Sequence, residues 1–320
     1  MKLRWSGIAA TMAALCAGGT ALADYPERPI TMIVSYSAGG GTDIAARTLV
    51  PYIERYLGDR ASITVINRPG AAGELGFTEL SRARPDGYTI GFINTPNILT
   101  IPIQRNARYS LQDITPIARA VYDPGAFSVL PQKGITNLEE LIAFARENPR
   151  TVTYGTTGIG SDDHIAALMF ERMNDIQLEH VPFPGNADVR AAVLGGHVFM
   201  ASMNVSETIA DHHEGRLVLL GQMADERWKG APEIPTFAEQ GHDIVFGSDR
   251  GIGAPAGLPD DVRDQLAEAV AQALQDPEFI QRAEQQDLPL DFLNAGDFLA
   301  ELERLDASLR GLWENEPWSD

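Results

Sequence analysis

The chain has 320 residues, with 25 basic against 44 acidic side chains and a formal charge of −19. That excess argues against nucleic acid or anionic lipid as a partner. It does not exclude an anionic ligand, because exposed carboxylates are screened over roughly 8 to 10 Å and a pocket lined by helix N-termini stays locally positive. Lys2 and Arg4, the apolar run from Trp5 to Ala17 and Ala21-Leu22-Ala23 before Asp24 predict a secretory signal peptide over residues 1–23. Gly18, Gly19 and Thr20 interrupt the apolar run and charged residues follow, so no membrane anchor is predicted. Cys16, the one cysteine, leaves with the leader, and Leu15 before it is not the small residue of a lipoprotein site. The mature chain therefore has neither disulfide nor thiol chemistry, and its length suffices for two domains with their own cores.

From Ile30 onward strands and helices alternate. The pattern predicts strand 30–34, helix 42–56, strand 63–66, helix 73–82 and strand 88–93, a parallel α/β sheet. Pro85-Asp86-Gly87 turns the chain into the last of these strands, and Asn94-Thr95-Pro96-Asn97 is a polar loop at its end. A second set follows: strand 127–130, helix 137–147, strand 152–154, helix 162–173, strand 178–181, helix 187–194 and strand 198–203. Residues 114–121 and 244–254 read as extended crossings between two domains, which implies a hinge. The predicted division is 24–121 for the first domain, 122–245 for the second and 246–320 for the return. Val262, Leu266, Val270 and Leu274, then Phe298, Leu302, Leu305, Leu309 and Leu312, form apolar stripes of helices that pad the first sheet.

Two glycine-rich turns each end a strand and open a helix, Ser35 to Asp43 and Gly155 to His164. The first N–H groups of a helix lack intrahelical partners and carry the positive end of its dipole, so each turn can hold a carboxylate or phosphate oxygen. The first turn lacks the Gly-Lys-Ser/Thr ending of a phosphate loop and the dinucleotide pattern. The duplication suggests two jaws around one ligand. Ser161 and His164, three apart, admit a nucleophile-and-base reading, but no G-x-S-x-G elbow or third orienting group accompanies them. Ser161 reads better as a helix cap. Asp43 and Arg47 fit an i,i+4 brace. The six histidines show no metal-ligand spacing. Gly185, Asn186, Asn204 and Ser206 lie in two further strand-to-helix loops and offer amide or hydroxyl contacts. Arg250 is the charged side chain suited to grip a carboxylate, or to pair with Asp249 or another acid nearby.

Several segments together resemble one family. They are Asn67-Arg68-Pro69-Gly70-Ala71-Ala72-Gly73, Ala83-Arg84-Pro85-Asp86-Gly87-Tyr88-Thr89, Tyr25-Pro26 with Arg28-Pro29-Ile30, Gly39-Gly40 with Asp43, Ala46 and Arg47, Gly158/Gly160/Ser161/His164, and Ala254-Pro255-Ala256-Gly257-Leu258-Pro259. The chain resembles the periplasmic solute receptors of tripartite tricarboxylate transporters, also called Bug proteins, over nearly all its mature length. The resemblance implies a two-domain Venus flytrap of the periplasmic-binding-protein type, with two crossover strands, closing on a small organic carboxylate and delivering it to cognate membrane subunits. It implies a monomer in the periplasm, no cofactor and no catalysis. Carried over, Ser37, Ala38, Gly39, Gly40 and Thr42 of the first turn, Thr95, and Thr156, Thr157, Gly160 and Ser161 of the second cradle the ligand. A sensor co-receptor role and a Ser161/His164 hydrolase are the alternatives. The chain departs from the family pattern at Phe183-Pro184-Gly185, at Phe199, at Asp249-Arg250 and at Asp162-Asp163, whose acids compete with a ligand carboxylate. Those departures point to a hydroxy acid, an amino acid or a zwitterion rather than a tricarboxylate.

Overall fold

The computed structural model describes residues 25–319, and the signal-peptide reading of residues 1–23 lies outside them. In chain order the elements are β1 (Ile30–Val34), α1 (Gly41–Leu57), β2 (Ile63–Asn67), α2 (Glu74–Ser81), β3 (Thr89–Asn94), α3 (Asn97–Gln104) and β4 (Ile114–Val129). There follow α4 (Leu138–Glu147), β5 (Thr153–Thr156), α5 (Asp162–Asn174), β6 (Glu179–Pro182), α6 (Asn186–Leu194), β7 (Met200–Asn204), α7 (Val205–His213) and β8 (Val218–Gln222). The chain ends with β9 (Gly247–Pro255), α8 (Asp260–Gln275), α9 (Pro277–Glu284), β10 (Leu290–Asn294) and α10 (Ala295–Asn315). Short 3-10 turns lie between several of these.

The strands form one curled sheet in the order β2-β1-β3-β9-β4-β7-β5-β6, with β8 and β10 also paired to β4. In the first lobe β1, β2 and β3 are parallel, and β9 runs antiparallel to β3 with Asn94 opposite Arg250. β4 is the long crossover. It pairs β9 from Ile114 to Pro124, then β7 from Gly125 to Val129, and so passes from one lobe into the other. The sequence reading divides this segment into an extended stretch and a separate strand, but it is one strand. Pro124 marks where β4 exchanges partners, a place where a missing N–H costs little ladder bonding.

Amphipathic helices cover both faces. On α1 the buried side chains Ala45, Ala46, Leu49 and Ile53 recur at helical spacing and join Leu266, Val270 and Leu274 of α8 on one face of the first lobe. On its other face Phe77, Ile98, Phe298, Leu302 and Leu309 pack together, with side chains of α10 against those of α2 and α3. The second lobe closes around Phe127, Phe170 and Phe237, whose rings meet edge to face at 5.2 to 5.8 Å. The short elements α3, α9, β8 and β10 were not legible in the sequence.

Candidate functional site

The first turn is braced from behind. Asp43 accepts from Gly39 N–H (2.9 Å), from the Asn67 amide (3.0 Å) and from Arg47 (2.9 Å). Burial works against its charge, yet these three donors hold the carboxyl below its usual range. The i,i+4 brace is thus present, and it also fixes the glycine backbone ahead of α1. Gly39 takes φ +82°, which a side chain would resist.

The second turn is tied to its own helix. Gly158 N–H donates to Thr156 Oγ1 (3.0 Å), Ser161 Oγ accepts from His164 N–H (3.2 Å), and His164 Nδ1 accepts from Gly160 N–H (3.2 Å). Ser161 is therefore a cap, and the His164 nitrogen facing the turn is occupied by backbone. Burial and the stacked His180 ring, 4.2 Å away, hold the His164 imidazole down to about 3. The Gly160 carbonyl in turn accepts from Thr100 Oγ1 of α3, across the cleft, at 2.6 Å.

Between the lobes lies a cavity of about 20 Å³, room for roughly one water. Its wall is built from helix beginnings: Gly40, Gly41 and Thr42 of α1, Asn97 of α3, Asp162 of α5, Asn186 of α6, and Asn204 and Glu207 of α7. Tyr36, Asn94, Thr157, Ser248 and Arg250 complete it. A second, open chamber of about 450 Å³ adjoins it and shares Gly40, Gly41, Asn186 and Glu207. The lobes are in direct contact here. Glu207 Oε1 accepts from Gly41 N–H at 2.7 Å, and Ser37 donates to Asp188 at 2.6 Å.

The side-chain charges around the cavity are unequal. Arg250, 2% exposed, has its Nη1 2.8 Å from Asp123 and its Nη2 3.2 Å from Glu207, and it donates to Asn204 Oδ1 at 2.8 Å. The Nη1 contact is close, but its N–H bonds are not aligned on the carboxylate. Asp162 is held by an uncharged partner, the Asn204 amide (2.8 Å). Burial pushes Asp162 up to about 6 and Glu207 up to about 7, against the pull of the Asn204 hydrogen bond on the first and of Arg250 on both. Asp123 is raised by burial, and Asp163 more strongly by burial and by Asp162. Four buried carboxyl groups thus share one guanidinium.

Of the residues singled out in the sequence, Gly40, Thr42, Thr157, Asn186, Asn204 and Arg250 meet on the inner cavity. Gly39 lies on the outer chamber, and Ala38 is exposed beside it. Thr95 is turned into the sheet, bonded to Asp249, which pairs with Arg119 rather than with Arg250. Thr156 faces His180, Gly160 and Ser161 hold the second turn, and Gly185 abuts Ser37. Sequence reasoning missed Glu207. Its one signal is the capping box Asn204-Val205-Ser206-Glu207, which orients the carboxylate toward the start of α7.

A family model described as the tripartite tricarboxylate transporter family receptor matches residues 46–299. The "UPF0065 protein in gbd 5'region" of Cupriavidus necator is 31% identical over 301 residues, covering 92% of this chain and 90% of its own. Among solved structures, that of the periplasmic binding protein BugD superposes with a TM-score of 0.85 at 28% identity, covering 91% of this chain and 98% of its own. An R. palustris protein determined with adipate gives 0.84 at 25% identity, again over 91% and 98%. The likeness in both structures extends over the two lobes and the crossover strands.

Proposed function

The chain belongs to the tripartite tricarboxylate transporter receptor family, and from that premise we propose that it is a periplasmic receptor for a small organic carboxylate. The ligand enters between two lobes, with boundaries near residues 121 and 245, that hinge on β4 and β9. The observation that carries this reading is the convergence of α1, α3, α5, α6 and α7, whose N-termini all face one interlobe cavity. Unpaired N–H groups and aligned dipoles make such a wall attractive to a carboxylate without a dedicated lysine. Adipate in the R. palustris relative fits the same ligand class. Ligand contacts available only when both jaws engage shift the population to the closed form, and the loaded receptor passes its ligand to membrane subunits. No bond is made or broken in this role.

Thermal unfolding of the mature protein against mono-, di- and tricarboxylates, aromatic acids and amino acids tests the reading. A ligand at about 100 times its dissociation constant adds about 2.7 kcal/mol to the native state, or about 5 to 11 °C for a protein of this size. A flat panel, with no co-purified mass in native mass spectrometry, would sink it.

A further inference from the structure

We infer that the ligand is a zwitterion: a small carboxylate that also carries a protonated nitrogen, the nitrogen set between Asp162 and Glu207 and the carboxylate facing Arg250 and the start of α1. This deepens the receptor reading and rests on it.

Charge is the first ground. A plain dicarboxylate brings two more negative charges beside Asp162 and Glu207, with Asp123 and Asp163 behind them and Arg250 the one guanidinium among them, so each acid either repels it or must keep a proton to admit it. A protonated nitrogen relieves that repulsion.

Unused hydrogen-bonding groups are the second ground, independent of the first. Asn94 and Asn186, only 3% and 9% exposed, both line the cavity, and the Oδ1 of each has no partner among the described residues. The Asn186 Nδ2 donates to the Glu207 carboxyl group. A buried acceptor left unpaired costs about 1 to 3 kcal/mol, so these oxygens call for a hydrogen-bond donor, which an ammonium supplies and an ionised plain dicarboxylate lacks. In the same lining Arg250 Nη1, although 2.8 Å from Asp123, has no N–H aligned on an acceptor among the described residues. Acceptors and a donor left over on one wall match a ligand with both an ammonium and a carboxylate.

Size sets where the rest of the ligand goes. The inner cavity of about 20 Å³ has room for about one water, so the charged groups enter it as the lobes part, and the adjoining chamber of about 450 Å³ takes the remaining chain past Asn186 and Glu207.

Isothermal titration with matched pairs tests the inference: succinate against aspartate, glutarate against glutamate, adipate against 2-aminoadipate, and butyrate against 2-aminobutyrate. In wild-type protein at least one aminated member binds more than about tenfold tighter than its plain partner. Asp162→Asn and Glu207→Gln each narrow that preference by about tenfold. A plain acid that binds equally or more tightly throughout, or a preference untouched in both variants, overturns the inference and leaves the receptor reading standing. No binding by any member of any pair overturns the inference, and the wider thermal panel then decides the receptor reading. The wild-type preference is decisive by itself should a variant fail to fold.

Discussion

Glu207 occupies the position that an incoming carboxylate would take, accepting from Gly41 N–H at the head of α1 while lying 3.2 Å from Arg250. Its own charge is costly there. Burial raises its carboxyl from an ordinary 4.5 to about 7, with Asp123, Asp162, Asp163, Arg250 and Tyr36 as its charged and titratable neighbours. A folded-state pKa above the unfolded one means that the native protein holds a proton the unfolded chain has lost. Stability from this group therefore falls as pH rises from about 4.5 to about 7. His164 and His180, held down to about 3 and 4, slope the other way below their ordinary 6.5. Their effect is common to wild type and to Glu207→Gln, and it cancels in the difference between the two. The melting temperature of Glu207→Gln relative to wild type is expected to be highest near pH 8 and to decline toward pH 5. A difference that stays level across this range means that Glu207 is not strained. Arg250 was legible as the site's cation because a guanidinium amid glycine and serine on a returning strand has few other uses. Its partners Asp123 and Glu207 were not, since they stand 127 and 43 positions earlier and only the β4–β9 pairing and the α7 cap bring them in.

Helix beginnings, more than individual side chains, shape the cavity. The head of α1 meets the head of α6: a Cβ built on Gly40 stands 3.6 Å from Ala187 N and 3.7 Å from Asn186 N. Gly40 has φ −82° and ψ 168°, extended backbone open to any residue. Gly40→Asp is therefore expected to keep the fold while its carboxylate settles on the free N–H groups of α6, filling the place reserved for the ligand. Circular dichroism should be unchanged and the thermal response to every binding acid lost; retained affinity would remove the first turn from the site. The alternating strands and helices around this point were readable because apolar periodicity is strong in α1, α4 and α8. α3 was hidden by Pro96 and Pro102 at its start and near its end, although Ile98, Leu99 and Ile101 are buried. β10 escaped because it is a short, half-exposed edge strand with little alternation to see.

At the scale of the molecule, the contacts between lobes decide how much of a ligand's binding energy goes into closure. Three lie apart from the cavity's charges: Ser37 to Asp188, Thr100 Oγ1 to the Gly160 carbonyl, and Arg172 of α5 to Glu316 (3.0 Å) and the Pro317 carbonyl (2.8 Å) near the C-terminus. The first and third are at least partly exposed and weakly stabilising. The Thr100 bond is fully buried, and Thr100→Val keeps the side-chain shape while removing its donor. A buried hydrogen bond is worth about 0.5 to 1.5 kcal/mol, and leaving the Gly160 carbonyl unpaired costs about 1 to 3 kcal/mol, which opening to solvent relieves. Opening of the cleft should thus become about tenfold more favourable in the variant, with each lobe's own core intact. Small-angle scattering of the unliganded variant is expected to give a larger radius of gyration than wild type, and saturation with a binding acid to bring the two together. The apparent affinity of the variant then falls by the fraction of molecules that must first close. An unchanged radius together with unchanged affinity would place the control of closure in the β4 and β9 crossovers themselves rather than in the contacts between the jaws.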